Sequence, residues 1–245
     1  MPKYEEISQE LMERIKSGRY PVNQPLPRQN DLAAEFKTSR MTIQQALKIL
    51  VDAGYLYSIR GSGTYIRQSA LQISKLDTLA SEYHGATYRL RNQGQVTSKI
   101  LRFDTRFPDQ NERDNLLIKE TDPVYDICRV RYLNQQPYAI EYTVMPFKAV
   151  PGITRAVLLK SIYSYIEHHF GRQIGSSYRI VRADKATTVD QTELALGPCD
   201  PILEVSQVVY FDDGTPFELS HSRHPYTQGN VIIVNQKKTK GHIKK

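Results

Sequence analysis

The segment 28–67 constrains the fold of this chain more than any other, because two helical patterns and a glycine-containing hairpin follow one another without a gap. "RQNDLAAEF" and "TSRMTIQQALKIL" are both amphipathic, and only the turn "KTS" separates their helical parts. The strand-like stretches "YLYSI" and "TYIR" then flank the turn "RGSG". Two helices joined by a tight turn form a helix-turn-helix, and a hairpin directly after it forms a wing. The sequence therefore predicts a winged helix-turn-helix domain over residues 1–67.

The second helix of this pair has an exposed face without acidic residues, and Ser39 is its predicted N-cap. Its polar side chains are Arg40, Thr42, Gln44, Gln45 and Lys48. A helix N-terminus attracts phosphate, while Gln and Arg pair with adenine and guanine edges in the major groove. A carboxylate would repel the phosphates, which explains its absence. The alternative, a packing module with a solvated face, does not account for the wing or for the charge asymmetry.

The net charge of +7 is concentrated at the two ends of the chain. Residues 1–70 hold 10 Lys/Arg against 7 Asp/Glu, and residues 237–245 hold five lysines and no acidic residue. A basic N-terminal segment fits a polyanionic partner, whereas the basic tail 237–245 is typical of a frayed, solvated segment. Neither a signal peptide nor a run of ~18 apolar residues for a membrane span is present. Because two cysteines are too few for a disulfide framework, we expect a reduced, cytoplasmic setting.

The N-terminal segment, over about residues 4–67, resembles the winged-helix domain of the GntR family of bacterial transcription regulators. The resemblance is carried by "LP" at 26–27, "SRMT" at 39–42, "AL" at 46–47, Gly54 and the wing "GSGT". Two departures stand out: Arg28 stands where the family usually has Ser, and Asn30 where it usually has Arg. Gln44 also occupies a position that is often Arg. By position, the resemblance implies DNA contacts from Asn30, Ser39, Arg40, Thr42, Gln44, Arg60 and Gly61, with Arg28 supplying the charge that Asn30 lacks.

After residue 67 the pattern changes, and we expect a linker over 68–75 followed by an α+β domain over 76–236. "DPVYDICRVRYL" and "YAIEYTVMP" flank "NQQP", and "ILEVSQVVYF" and "PFELSHSRH" flank "DDGT", so both pairs predict antiparallel hairpins. "LLKSIYSYIEHHFG" and "TVDQTELALG" predict two helices set aside from these strands. Antiparallel hairpins with separate helices are typical of the α+β class.

Two pairs of polar residues in this second domain suggest a site. Arg129 and Arg131 lie two apart on a predicted strand, hence on one face, and so do Glu218 and Ser220. Glu141 joins them if the turn at 133–137 places it opposite Arg131. Guanidinium groups suit phosphate and carboxylates suit sugar hydroxyls, which together would form a phosphosugar pocket. Ion pairing between neighbouring strands explains the same residues, and the residues alone leave both interpretations open.

Residues of about 76–236 resemble the UTRA effector domain of the HutC branch of GntR regulators, a fold similar to chorismate lyase. The marks are "TS" at 97–98, "RVRY" at 129–132, "SIY" at 161–163 and "DDGTPFELS" at 212–220. The resemblance implies a small anionic effector, a duplex DNA operator and a homodimer. It further implies phosphate contacts from Thr97, Ser98, Arg129, Arg131 and Ser161, hydroxyl contacts from Glu141 and Glu218, and a ring cover from Tyr163, Tyr178 or Tyr210.

The chain is not expected to be an enzyme, because neither G-x-S-x-G nor H-E-x-x-H is present. His168 and His169 are adjacent on a helix and cannot chelate one metal ion together, so no metal and no cofactor are expected. The predicted function is a sequence-specific DNA-binding transcription repressor, released from its operator by a small phosphorylated metabolite such as a sugar phosphate. A metabolite-responsive activator shares every residue argued above. A lyase-like enzyme with a DNA anchor is the alternative from another class.

Overall fold

A computed structural model of the protein describes residues 2–59, 61–68, 70, 85, 87, 90, 93–229 and 231. The chain divides into an N-terminal unit within Met1–Asp77 and a C-terminal unit, Thr78–Val231. Arg60, the basic tail 237–245 and the predicted linker, apart from Gln68 and Ala70, lie outside the described residues. In the described part of the chain, every helix is too short or too polar to cross a membrane.

Residues 2–66 of the N-terminal unit, without Arg60, form three helices followed by a two-stranded hairpin. Its elements are α1 (Lys3–Lys16), α2 (Gln29–Glu35), α3 (Arg40–Asp52), β1 (Leu56–Ile59) and β2 (Gly63–Ile66). The helices form because their apolar residues recur at three- and four-residue steps and share one core. That core includes Ile7, Leu11, Ile15, Leu32, Ile43, Leu47 and Leu50. The predicted winged helix-turn-helix is therefore confirmed.

The hairpin of the N-terminal unit has a short turn whose backbone requires glycine. β1 pairs antiparallel with β2, and Ile59 lies opposite Gly63. Gly61 and Gly63 have φ angles of 79° and 134°, a region that side chains with a Cβ rarely adopt. The two glycines therefore let the turn follow a backbone path that other residues would strain.

The C-terminal unit is built on one six-stranded sheet. The strands are β3 (Val96–Arg106), β4 (Val124–Leu133), β5 (Gln136–Pro146), β6 (Ile174–Lys185), β7 (Pro201–Phe211) and β8 (Pro216–Pro225). The helices are α4 (Gln110–Leu116), α5 (Arg155–Leu158), α6 (Ile162–Phe170) and α7 (Thr188–Glu193). The strand order is β3-β4-β5-β8-β7-β6, and neighbouring strands are antiparallel. Both predicted hairpins are present, and the α+β class is confirmed.

The helix predicted over 158–171 is two helices rather than one. α5 ends at Leu158, and α6 begins after Ser161, whose side chain accepts a hydrogen bond from the Ser164 N–H at 3.1 Å. A serine cap competes with helix continuation, because its hydroxyl satisfies a free N–H only when the serine backbone is extended. The break places the N-terminus of α6 beside the polar part of the sheet.

One face of the sheet is apolar at one end and polar at the other. Ile127 on β4 and Met145 on β5 pack there against Leu158 of α5 and Ile166 of α6. Side chains two residues apart on a strand share a face, so Arg129 and Arg131 continue the row that Ile127 begins. The opposite face buries a separate cluster of Cys128, Val130, Ile140, Leu194 and Ile202. The two arginines thus lie on the sheet face that α5 and α6 cover, beyond the apolar core of that face.

Candidate functional site

The N-terminus of α3 is an exposed and capped helix end. The Ser39 Oγ accepts from the Thr42 N–H at 3.2 Å and lies 2.9 Å from the Thr42 Oγ1. The first turn of α3 contains no acidic residue. Ser39 and Thr42 are therefore hydrogen-bonded to each other, and the partial positive charge of the α3 N-terminus faces solvent.

The other residues predicted to contact DNA belong to the same N-terminal unit. Arg28, Asn30, Arg40, Gln44 and Gly61 are all exposed. Arg28 is the residue before α2 and makes no side-chain capping bond. The sixth, Arg60, is outside the described residues. The structure thus brings the exposed polar residues of α2 and α3 onto one small unit.

Two residues of this surface were missed from the sequence. The Arg40 Nε donates to the Gln29 Oε1 at 3.1 Å, so Gln29 of α2 helps to orient the recognition-helix arginine. Met41, the second residue of α3, is 68 % exposed, although methionine is normally buried. The contact between Arg40 and Gln29 joins two helices, and one sequence does not predict such a contact. Met41 could have been identified, because it lies outside the apolar stripe of α3.

A cavity lies over the polar end of the sheet face that α5 and α6 cover. Six of the predicted effector residues line it: Arg129, Arg131, Glu141, Ser161, Tyr163 and Glu218. Ser220, which the sequence pairs with Glu218 on one strand face, also lines it, whereas the sequence analysis did not assign Thr87, Thr143, Arg179, Gln207 and His224. Apart from Thr87, these residues come from strands on both sides of the sheet centre, and the spacing of residues in the sequence does not give the strand order that joins them.

The two arginines meet one carboxylate. The Glu141 Oε2 accepts from the Arg129 Nη2 at 2.7 Å and lies 3.5 Å from the Arg131 Nη1. Glu141 is opposite Arg129 in the sheet rather than opposite Arg131 as expected; a shift of two residues keeps the same face. Burial alone raises the pKa of Glu141, but Arg131 and Arg129 outweigh it and hold the pKa below its usual value. Glu141 is therefore ionised at neutral pH.

The phosphate-contact residues predicted on β3 differ in position. Ser98 is the cross-strand partner of Arg131, so both side chains lie on the cavity face, and the buried Ser98 Oγ has no hydrogen-bond partner among the described residues. Thr97 is exposed and, as the neighbour of Ser98 on the strand, points to the opposite face. Ser161 lines the cavity from the N-cap of α6. Ser161 thus lines the cavity together with the arginines, Ser98 lies beside Arg131 on the same sheet face without lining the cavity, and Thr97 lies apart.

The other end of the cavity is a hydrogen-bonded chain around a buried acid. The Glu218 Oε1 accepts from the Ser220 Oγ at 2.5 Å and from the Gln207 Nε2 at 2.9 Å, and the Tyr163 hydroxyl also bonds Glu218. The Arg179 Nε donates to the Gln207 Oε1 at 2.8 Å. Burial raises the pKa of Glu218, and these hydrogen bonds offset it only in part. Glu218 is therefore easier to protonate than an exposed glutamate.

Tyr178 and Tyr210 do not belong to this cavity. Tyr178 is 61 % exposed and lines a wider groove on the other face of the sheet. It precedes Arg179 on β6, and adjacent side chains on a strand point to opposite faces. Tyr210 lies opposite Ser176, on the same side as Tyr178. Of the three tyrosines considered as ring covers, the structure brings only Tyr163 to the cavity.

The charged groups of the cavity leave an excess of positive charge. Three guanidinium groups, from Arg129, Arg131 and Arg179, face two carboxylates, from Glu141 and Glu218. Within the described part of the chain, no group of three or more His, Cys, Asp or Glu side chains could hold a metal ion. Burial raises the pKa of the Cys128 thiol to about 11, which leaves it protonated at neutral pH. The arrangement therefore suits binding of an anion that also carries hydroxyl groups.

Two family models match the chain. Residues 3–66 match "Bacterial regulatory proteins, gntR family", and residues 91–228 match "UTRA domain". The chain belongs to the GntR family of bacterial regulatory proteins. This GntR-family chain is a DNA-binding transcription regulator, and the two matched domains agree with the winged helix-turn-helix and the antiparallel sheet described above.

Alignments with similar proteins extend over nearly the whole chain of this regulator. The "HTH-type transcriptional regulator GmuR" of Bacillus subtilis (strain 168) is 40 % identical over 96 % of this chain and 99 % of its own length. The "Mannosyl-D-glycerate transport/metabolism system repressor MngR" of Escherichia coli (strain K12) is 30 % identical over 97 % of this chain and 98 % of its own. The crystal structure of the possible transcriptional regulator YydK from B. subtilis superimposes with a TM-score of 0.80 at 26 % identity, covering 96 % of this chain and all of that one.

Proposed function

We propose that this regulator is a repressor that a small phosphorylated metabolite, such as a sugar phosphate, releases from its DNA operator. The observation that carries the proposal is that two buried arginines share one cavity with Glu141, which pairs with them and is half-buried, and with the buried Glu218. Arg129 and Arg131 are only 5 % and 3 % exposed, and Glu218 is 4 % exposed. Buried charges are costly unless they are paired, so their concentration in a cavity favours a charged ligand.

The arginine end of the cavity has the donors that a phosphate needs. Arg presents a planar fork of N–H groups that matches phosphate oxygens. Ser98 adds a buried hydroxyl without a partner among the described residues, and the Arg129 Nε is likewise buried without an acceptor there. The N-terminus of α6 opens beside Ser161, and helix N-termini attract anions. Thr97, which points away, is not part of this proposed set.

The two carboxylates of the cavity, Glu141 beside the arginines and Glu218 in the hydrogen-bonded chain with Gln207 and Ser220, are the acceptors that sugar hydroxyls need. Glu218 and Glu141 accept hydrogen bonds, while Tyr163 and Gln207 both donate to and accept from a ligand. The repressor MngR is named for mannosyl-D-glycerate, a hydroxyl-rich compound, which agrees with a carbohydrate-type effector here. We assign Arg129, Arg131, Ser98 and Ser161 to the phosphate and the two glutamates to the hydroxyls.

Coupling between the two units follows from linkage. A homodimer would place two recognition helices on successive half-sites of a two-fold operator, with Arg28, Asn30, Arg40, Gln44 and the wing at the DNA. The effector favours a dimer whose half-site spacing is unsuitable, and by reciprocity the operator weakens effector binding equally. A coupling of ~1–3 kcal/mol corresponds to about 5–150-fold relief. Because its operator is chromosomal DNA, the proposed repressor would act in the cytoplasm.

Operator binding and its release test the proposal directly. An operator is first selected from random duplexes with the full chain, and fluorescence anisotropy then measures its affinity with and without each member of a sugar phosphate panel. We expect at least one sugar phosphate to weaken operator binding. Arg40→Ala should abolish operator binding and leave effector binding intact, whereas Arg129→Ala with Arg131→Ala should bind operator and ignore the effector.

Four results would contradict the proposal or part of it. Normal calorimetric binding of the effector by the double arginine variant would remove the phosphate assignment, and unchanged operator affinity of Arg40→Ala would remove the recognition-helix assignment. Stronger operator occupancy with effector, together with transcription activation from an upstream site, would favour the activator. Conversion of the bound sugar phosphate to a product would favour the enzyme with a DNA anchor.

A further inference from the structure

We propose that Glu141 makes the effector site reject bare inorganic anions, so that a phosphate binds tightly only when its carrier also brings hydroxyl groups. This inference rests on the phosphate function proposed above for Arg129 and Arg131. It gives Glu141 a specificity role beyond that of a hydroxyl acceptor, because inorganic phosphate would otherwise compete for the same two guanidinium groups.

The Glu141 carboxylate already sits where an anion would bind. Its Oε2 alone contacts both arginines, at 2.7 Å from the Arg129 Nη2 and 3.5 Å from the Arg131 Nη1. Register places Glu141 directly opposite Arg129 in the sheet, so the contact is built into the backbone pairing rather than into a mobile loop. The protein therefore supplies its own anion to the arginine pair.

One further nitrogen of each arginine is also engaged. The Arg129 Nη1 donates to the Leu158 carbonyl oxygen at 2.7 Å, and the Arg131 Nη2 donates to the Thr87 Oγ1 at 2.6 Å. An incoming phosphate must therefore share these guanidinium groups with Glu141 or displace it. In both cases two anionic groups come close together in a poorly solvated site, and juxtaposed like charges are strongly unfavourable there.

A ligand with hydroxyl groups changes this balance. A hydroxyl placed beside Glu141 donates a charge-assisted hydrogen bond and replaces the contacts that the carboxylate loses from the arginines. Inorganic phosphate at neutral pH can donate to the carboxylate only through its own P–OH, and the oxygen that does so is lost as an acceptor for the arginines. Sulfate has no proton to donate. The repulsion is thus compensated for a phosphosugar, compensated only in part for inorganic phosphate, and uncompensated for sulfate.

Removing the charge of Glu141 while keeping its shape tests the inference. Isothermal calorimetry on the full chain would measure inorganic phosphate, sulfate and the sugar phosphate panel with wild type and Glu141→Gln. We expect the affinity for inorganic phosphate to rise about tenfold or more in Glu141→Gln, because the like-charge repulsion is removed. The affinity for the best sugar phosphate should rise less or fall, so that the ratio between the two ligands shrinks.

A matched control is the same substitution at Glu193, which pairs with Lys99 at 2.8 Å outside the cavity. Glu193→Gln should leave the binding of both ligands unchanged. Thermal unfolding would verify that each variant is folded. The wild type also provides a test that needs no variant, since the inference requires it to bind inorganic phosphate far more weakly than a sugar phosphate.

The outcomes separate the two proposals. Suppose that wild type binds a sugar phosphate but Glu141→Gln gains no affinity for inorganic phosphate. This result would overturn the inference and leave the proposed function standing. Equal affinity of wild type for inorganic phosphate and for the best sugar phosphate would also overturn the inference. Failure of both proteins to bind any phosphate compound would overturn the proposed effector and the inference together.

Discussion

Arg40, the first residue of α3, donates from its Nε to the Oε1 of Gln29, the first residue of α2, at 3.1 Å. The bond uses only the Nε, so both Nη groups keep their donors for a guanine edge or a phosphate. Because the two helices are packed in one core, Gln29 orients an arginine that would otherwise be a flexible exposed side chain. We therefore expect Gln29 to position Arg40 for DNA recognition.

Gln29→Ala should weaken operator binding by roughly 2–10-fold, the range that one net hydrogen bond supports. Arg40→Ala should weaken it much further, because it removes the contacting group itself. Fluorescence anisotropy on the selected operator would compare both with Gln110→Ala, a glutamine on α4 in the other unit. If Gln29→Ala binds like wild type while Arg40→Ala fails, the Arg40 guanidinium needs no support from α2.

Met41 should recognise a thymine methyl group in the operator. An exposed methionine among polar residues on a recognition helix matches the apolar C5-methyl group of thymine, which deoxyuridine lacks. Replacing the contacted thymine by deoxyuridine should weaken wild type about fourfold, the effect of one buried methyl or methylene group.

Met41→Ala should bind the thymine and the deoxyuridine duplexes equally. Scanning deoxyuridine through every thymine position of the operator, with anisotropy for both proteins, would locate the contact. The idea fails if wild type is indifferent to each replacement, or if Met41→Ala retains the same thymine preference.

The two halves of the candidate effector site differ in how far the sequence predicts them. Arg129 and Arg131 share a face on any strand, because the side-chain period of a strand is two and needs no tertiary information. Glu141 joins them despite an error of two residues in its partner, since an even shift preserves the face. An odd shift would have moved Glu141 to the other side.

Arg179 and Tyr178 depend on information that the sequence does not contain. β6 has mostly exposed side chains and no apolar alternation, so nothing in its pattern indicates a strand. Its position at the edge of the order β5-β8-β7-β6 is set by pairing between distant segments. Because the sequence does not predict this strand, it cannot predict that Arg179 faces the cavity and that Tyr178 faces the opposite side of the sheet. The N-terminal unit was more predictable because its contacts are local and its turn residues are diagnostic.

Glu218 should make the stability of the C-terminal unit depend on pH. Burial raises its folded-state pKa above the ordinary value of 4.5, so folding favours the protonated acid. The stabilisation is fully present below the unfolded pKa and is lost as the pH rises through the folded pKa. Glu218→Gln cannot ionise, so its stability relative to wild type should increase as the pH rises from about 4 towards neutrality.

Urea unfolding of wild type and Glu218→Gln across this pH range would measure the difference between their free energies of unfolding. Taking the difference cancels the other acids, such as Asp126, whose pKa is lowered and whose contribution has the opposite sign. A difference that does not change with pH would show that Glu218 ionises alike in the folded and unfolded states.

Arg223 should be the most costly arginine to remove from the C-terminal unit. It is buried on the face opposite the cavity, and its donors reach three carboxylates: Asp184 and Glu204 through Nη1, at 2.9 and 2.5 Å, and Asp190 through Nε, at 3.1 and 3.0 Å. Asp190 is completely buried. Arg223→Met would keep most of the side-chain volume and leave these acids to repel one another without a cation. Removing one partner of a buried ion pair costs about 3–5 kcal/mol.

The same substitution at Arg102 is the matched control, because Arg102 is 46 % exposed and pairs with Asp126 at the surface. Exposed pairs contribute about 0–1 kcal/mol, so Arg102→Met should change the free energy of unfolding little. Urea unfolding at neutral pH would give both values. Equal losses for the two variants at neutral pH would mean that the buried cluster is no stronger than a surface pair, and that α7 is held to the sheet by its apolar contacts alone.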